Sequence, residues 1–429
     1  MTKARTWKSV VIWSIISAAF IGPGTVTTAV SAGSSFKLDL LWAVTFATVA
    51  CIVLQEVAAR ITIASGMNLG QSLTIKFGRS NGNFLKWLIG GSVIAGCAAY
   101  EAGNILGAVS GLNLLTGLDA VLLTVLVTLV SFILLWRGSP QWISNLMMLL
   151  VVIMGISFFL VALTQELGAS ELIHASIVPV IPANGQLLLL GLVGTTVVPY
   201  SIFLGSGISK GQTVPMMRVG LTISVFIGGL ITAFILIAGT AISDFSSFSS
   251  LYLDFEIKVG KGAAIGLALG LFAAGFSSAI TAPYASAIIS RTVFDVKDES
   301  RVRLVWIAVL MIGFLTGISG VRPIPVILIV QALNGLILPI LVIFLILVAN
   351  DHRLIPEQFR HGHLYNALLL VVLGAVTSIS LNNVDKAMIS AFDINHGGHL
   401  TVVLILSALT VIAVAGLVYR QRLSGARNH

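Results

Sequence analysis

Two short tracts carry the residue types that build a binding site inside an apolar chain: Gly22-Pro23-Gly24-Thr25 and Val198-Pro199-Tyr200-Ser201. Each lies at the centre of a long apolar run. Proline removes a backbone donor and blocks the helix, and the N–H and C=O groups it frees cannot be satisfied by lipid, so such breaks must line a cavity. Small hydroxyl residues surround both: Thr27 and Thr28 follow the first, while Gly194-Thr195-Thr196 precedes the second and Gly205-Ser206-Gly207 follows it. A single kink is relieved by neighbouring helices. A matched pair in two halves of a chain points instead to the midplane site of a transporter. The N-terminal ends of half-helices present N–H groups and positive dipole ends, which suit an anion or a carboxylate-bearing zwitterion. Gly22 and Gly24 would let a ligand approach the backbone, with Thr25, Thr27, Tyr200 and Ser201 adding hydroxyls and Val198 a wall. Neither tract holds a carboxylate, and dehydrating a dication without charge compensation is costly.

The elements that position these tracts follow from composition. The chain has 429 residues, 57% hydrophobic and only 9% charged, where a soluble protein carries about a quarter charged residues. Apolar runs of about 20 residues span a bilayer, and runs near 10–32, 39–63, 84–110, 120–136, 141–164, 186–209, 217–241, 262–290, 302–320, 324–349, 364–384 and 398–419 predict an all-α polytopic membrane protein of about twelve helices. The basic start, Lys3, Arg5 and Lys8, imitates a signal peptide, but the apolar stretch continues past Gly24 as one interrupted span. With the N-terminus inside, nineteen of the 24 Lys and Arg fall on the cytoplasmic side, which predicts both termini in the cytoplasm. The basic residues are scattered, which argues against nucleic acid. Cys51 and Cys97 lie within apolar runs, which excludes a disulfide framework or cysteine metal site. No phosphate loop or nucleophile–base pair marks an enzyme.

Of the 16 acids, only Glu56 and Glu101 fall well inside spans, and the other acids and all seven histidines lie in loops or at span edges. An intramembrane carboxylate is a functional candidate by default. Glu101, in Tyr100-Glu101-Ala102-Gly103-Asn104, reads as a protonatable relay or counter-charge, or else as a carboxyl satisfied within the bundle. Glu56 lies four residues before Arg60, where both share one helix face, and reads as a structural ion pair near the cytoplasmic end. Gln331 and Asn334 of the tenth span either line the cavity or join helices by hydrogen bonds.

The motifs resemble one family. Gly22-Pro23-Gly24-Thr25, Ala32-Gly33, Leu54-Gln55, Ala58-Ala59-Arg60 and Ala64-Ser65-Gly66, then Gly194 to Ser201, Ala273 to Ser278, Gln331 and Leu338-Pro339, are similar to the NRAMP family of proton-coupled divalent metal transporters over most of the chain. The resemblance implies a LeuT-type fold: one transmembrane domain, 1–429, with inverted repeats 1–164 and 186–349 and two further helices in 350–429. It implies a metal site at the two breaks, where the family reads Asp-Pro-Gly-Asn and Met-Pro-His-Asn. Here those ligand positions are Gly22, Thr25, Val198, Tyr200 and Ser201, and a further family His position is Gly205. Glu101 matches an acidic position of the family's proton pathway, and Asn104 stands for a neighbouring Glu. Ser277 and Ser278, opposite the first break, resemble a hydroxyl pair that holds sodium in transporters of this fold.

The expected function is therefore secondary active transport by alternating access in a bacterial inner membrane, with a small anion as cargo, bicarbonate first and a small carboxylate or amino acid next. Protons or sodium would drive it, and no cofactor, metal or obligate protein partner is expected. The alternatives are a divalent cation transporter of altered selectivity, for Mg2+ or Mn2+, and a non-transporting sensor or scaffold.

Overall fold

The computed structural model describes residues 3–242, 245, 247–392 and 399–426. The chain before the second break forms α1 (Lys3–Phe20), α2 (Pro23–Phe36), α3 (Leu41–Ser65), α4 (Leu69–Phe77), α5 (Arg79–Thr116), α6 (Ala120–Arg137), α7 (Pro140–Ala162), α8 (Ala169–Ile177) and α9 (Gln186–Thr196). After it come α10 (Pro199–Ile208), α11 (Val214–Gly239), α12 (Phe248–Lys258), α13 (Lys261–Thr292), α14 (Glu299–Ile318), α15 (Pro323–Ala349), α16 (His363–Phe392) and α17 (His399–Ala426). Among the described residues ten helices are long and apolar enough to cross a membrane, and the bent pair α1 and α2 makes an eleventh. The 27-residue α15 fills the place of the remaining expected span. Large apolar side chains face outward all along α6, α7, α14 and α17, as a lipid-facing shell requires.

Both expected breaks are present. α1 stops at Phe20, and α2 starts with Pro23 in its first turn after Gly22 in an extended conformation. Proline suits that place, since the first helical N–H has no intrahelical partner. The two pieces meet at 61°. α9 ends at Thr196 and α10 begins with Pro199 after extended Val198.

Glycines set how closely the broken helices approach their neighbours. A Cβ on Gly33 of α2 would run into the Leu236 carbonyl of α11, and one on Gly239 would lie 2.7 Å from the Val30 carbonyl oxygen and 2.9 Å from Val30 Cα. α2 and α11 thus touch backbone to backbone. Gly107 of α5 similarly makes room for the Pro23 ring. Because overpacking a filled contact costs about 1–3 kcal/mol, Gly33→Val is expected to lower the thermal midpoint of the detergent-purified protein by several degrees. Gly416→Ala, where nothing lies within 4 Å, should leave it unchanged.

Candidate functional site

Ending α1 at Phe20 frees its last carbonyls, and the site is built on three of them in a row. Ser278 Oγ of α13 donates to the Ala18 carbonyl at 3.2 Å. Tyr200 Oη of α10 donates to the Ala19 carbonyl at 2.5 Å. Thr25 Oγ1 of α2 donates to the Phe20 carbonyl at 2.5 Å and also lies 2.5 Å from Thr195 Oγ1 of α9. Four helices therefore meet at one unwound turn, all through oxygen.

The second break is held similarly. The Val198 carbonyl accepts from the Ser201 N–H at 3.1 Å and from Ser201 Oγ at 2.8 Å. Gln55 Nε2 of α3 donates to Ser201 Oγ at 2.8 Å. Gln55 Oε1 has no partner and occupies the space beside Gly205. The Tyr100 and Tyr200 rings pack edge to face at 5.5 Å. Thr25, Thr27, Tyr200 and Ser201 are all buried, and the Thr27 and Thr28 hydroxyls have no partner.

Beside the first break lie the coupling candidates. A Cβ on Gly22 would meet Ser278 Oγ at 2.8 Å and Asn104 Oδ1 at 3.5 Å. Asn104 Nδ2 donates to Glu101 Oε2 at 3.3 Å, while Glu101 Oε1 is buried without a partner. Glu101 is fully buried against Gly313 of α14 and makes no ion pair among the described residues. Ser277 is less engaged, bonding the Ala274 carbonyl of its own helix at 3.1 Å. Gln331 and Asn334 lie on α15, but their side chains fall outside the described residues. Gly24 lies buried in the first turn of α2.

Two cavities flank the centre. One of about 520 Å3 is lined by Ser110, Asn113, Phe248, Arg322 and Pro323. The other, about 400 Å3, lies at the opposite ends of α1, α7, α10 and α13, with Ile12, Ile15, Ser144, Tyr284 and Ile288 in its wall. The buried residues at the breaks line neither cavity.

Sequence reasoning missed Thr195 and Gln55 as members of the site, though Thr195 stands in the hydroxyl tract before the second break. It missed the three α1 carbonyls entirely. Those carbonyls bear on the sign of the cargo. Each half-helix that should offer donors to an anion starts with a proline, which has no N–H. At the breaks lie carbonyl and hydroxyl oxygens, the kind of donor that hard cations prefer. Among the described residues no cluster of three or more His, Cys, Asp and Glu could hold a metal, so main-chain and hydroxyl oxygens dominate.

The family model described as natural resistance-associated macrophage protein-like matches residues 14–385. The divalent metal cation transporter MntH of Erwinia tasmaniensis is 26% identical over 392 residues, covering 86% of this chain and 91% of that protein. The metal transporter Nramp6 of Arabidopsis thaliana is 25% identical over 317 residues, 67% of this chain but only 59% of its own length. In structure, a mutant of the Eremococcus coleocola manganese transporter superposes with a TM-score of 0.75 at 18% identity, over 100% of this chain and 97% of that one. The nucleobase-cation-symport-1 transporter Mhp1 gives 0.51 at 13% identity, over 96% of this chain and 95% of the other. These likenesses place the fold in the LeuT type. They also overturn the expected cargo: relatives named for divalent metal cations contradict a small anion, whether bicarbonate, a carboxylate or an amino acid, as substrate and partner. The physical reason is that counting side-chain charge at Gly22 left out the main-chain oxygens that the break itself exposes.

One consequence concerns Gly22. A methyl group there displaces Ser278 Oγ from the Ala18 carbonyl, and a net hydrogen bond is worth about 1 kcal/mol. Gly22→Ala and Ser278→Ala are therefore expected to be non-additive by roughly that amount in a double-mutant cycle of thermal stability. Strict additivity would show that the two positions do not meet.

Proposed function

From the premise that this chain belongs to the natural resistance-associated macrophage protein family, and is thus an integral-membrane transporter rather than an enzyme, we propose that it carries a divalent metal cation by alternating access, with a preference shifted toward hard ions such as Mg2+ or Mn2+. The observation that carries this reading is the set of oxygens gathered at the two breaks: the Ala18, Ala19, Phe20 and Val198 carbonyls with the hydroxyls of Thr25, Thr195, Tyr200, Ser201 and Ser278. Val198 offers no sulfur and Tyr200 no imidazole, so soft transition-metal selection is lost. A site of neutral oxygens suits an ion that keeps much of its water, as Mg2+ does. The unpartnered Thr27 and Thr28 hydroxyls and the Gly22–Gly24 backbone complete the candidate lining.

Charge balance falls to Glu101, which is bonded to Asn104, whose Oδ1 lies beside Gly22. Intramembrane carboxylates mark proton or ion pathways, and in this reading Glu101 exchanges the driving proton. Sodium held near Ser277 and Ser278 is the second reading, supported by the Ser278 hydroxyl on a freed α1 carbonyl. Segments 1–164 and 186–349 act as the inverted repeats, and the excess of basic residues on one side supports cytoplasmic termini.

Uptake into proteoliposomes tests both parts. Saturable Mg2+ or Mn2+ uptake is expected, falling tenfold or more in Thr25→Val and Ser201→Ala; no divalent uptake under any gradient would sink the proposal. Glu101→Gln is expected to abolish acceleration by a pH gradient while leaving cation exchange measurable.

A further inference from the structure

Next to Gln55 on α3, one carboxylate gathers donors from four parts of the chain. Glu56 of α3 pairs with Arg60 of its own helix, as expected from their spacing. Its Oε1 also accepts from Arg218 Nε of α11 at 2.9 Å. Its Oε2 is 2.9 Å from His361 Nε2, in the segment between α15 and α16, and 3.0 Å from Tyr365 Oη of α16. Arg60 continues the same contact, donating from Nη1 to the Phe359 carbonyl at 3.2 Å. Glu56, Arg60 and His361 are all buried.

The cluster joins parts with different neighbours. α3 packs on α10, and α11 packs on α1 and α2, so both follow the broken helices. The 350–362 segment is tied instead to α17 and, through Asp351, to α4. Arg422 of α17 donates to the His361 carbonyl at 2.7 Å and to Asn350 Oδ1 at 3.1 and 3.2 Å. Lys76 and Arg353 hold Asp351. The bonds from His361 and Phe359 to α3 therefore bridge the bundle around the site to a separately anchored segment.

His361 is the element of this bridge that can change state near neutral pH. With Nε2 donating to Glu56, its Nδ1 is buried with no partner. The ring stacks on Tyr365 at 4.3 Å. A proton added at Nδ1 would be a buried donor without an acceptor, and a third cation beside Arg60 and Arg218 against one carboxylate. We propose that Glu56 and His361 form a latch that holds the cytoplasmic ends of α3 and α11 against the 350–362 segment, and that protonation of His361 releases it. The latch rests on the alternating-access reading and acts on the gate, whatever the cargo.

The sign follows from the environment. Burial pushes the His361 imidazole below its usual range, and the Glu56 carboxylate offsets this only in part. The closed latch therefore binds a proton less readily than the open one. It is fully held above about pH 6.5, the ordinary histidine value, and is progressively lost as pH falls below it. Asp351 stays ionised throughout, since Arg353 and Lys76 outweigh its burial and hold it far below the carboxylate range.

The test reads the gate directly. Ile12→Cys places a thiol in the 400 Å3 cavity, and its reaction with a water-soluble maleimide is normalised to that of Lys297→Cys, an exposed position. Cys51 and Cys97 are buried and serve as the parent baseline. Normalised labelling is expected to rise roughly tenfold between pH 7.5 and 5.5. His361→Gln should flatten that rise, Glu56→Gln should give fast labelling at both pH values, and Glu56→Asp should partly restore the parent profile. Removing a buried carboxylate leaves Arg60 uncompensated and can unfold the chain. Arg218→Gln, whose side chain is 51% exposed, then gives the second reading, with faster labelling at pH 7.5 expected. An unchanged pH profile in His361→Gln, or unaltered labelling in Glu56→Gln or Arg218→Gln, overturns the latch. Because labelling requires no cargo, neither result depends on the outcome of the uptake assay.

Discussion

The architecture depends on three carbonyls that α1 cannot satisfy. A helix that stops in mid-membrane leaves its last C=O groups without partners, and in hydrocarbon each such group costs several kcal/mol. Here Ser278, Tyr200 and Thr25 meet Ala18, Ala19 and Phe20 in register, from α13, α10 and α2. The same bonds that make the break tolerable bring four helices to one point and line it with oxygen. Folding and function share this feature.

The proposed cation reading therefore does not depend on the lost family ligands. Side chains at Gly22 and Val198 contribute no charge or sulfur, but the unwound backbone contributes regardless of side chain. What changes is the kind of ion suited. Carbonyl and hydroxyl oxygens favour hard, hydrated cations, and in the proposed reading charge compensation comes from Glu101, bonded to Asn104.

Much of this was legible in the sequence. Pro23 and Pro199 announced both breaks, because a proline at the centre of an apolar run removes a helical hydrogen bond and its ring clashes with the preceding turn. The run lengths marked out the helices. Thr25, Tyr200 and Ser201 stood out as candidates because they are hydroxyls beside a break, and the structure brings all three to the breaks. Main-chain oxygens carry no letter, so the Ala18–Phe20 row was invisible and the cargo's sign was misjudged. Glu56 and Arg60 were paired correctly from their spacing, yet Arg218, His361 and Tyr365 come from 162, 305 and 309 positions away, which no local pattern encodes. His361 lies outside the spans and is nonetheless buried, because Arg422 and Glu56 draw its loop into the bundle.

The glycine contact between α2 and α11 has a mechanical corollary. At Gly33 and Gly239 no side chain stands between the two backbones, leaving no layer to slide. α1, across the 61° bend, borders open volume on its far side. Its near side is bonded to α11, by Ser9 to the Met216 carbonyl, Ser17 to the Ser224 carbonyl and Ser224 to the Val10 carbonyl, so the first span resembles a hinge whose two leaves are screwed to the same post.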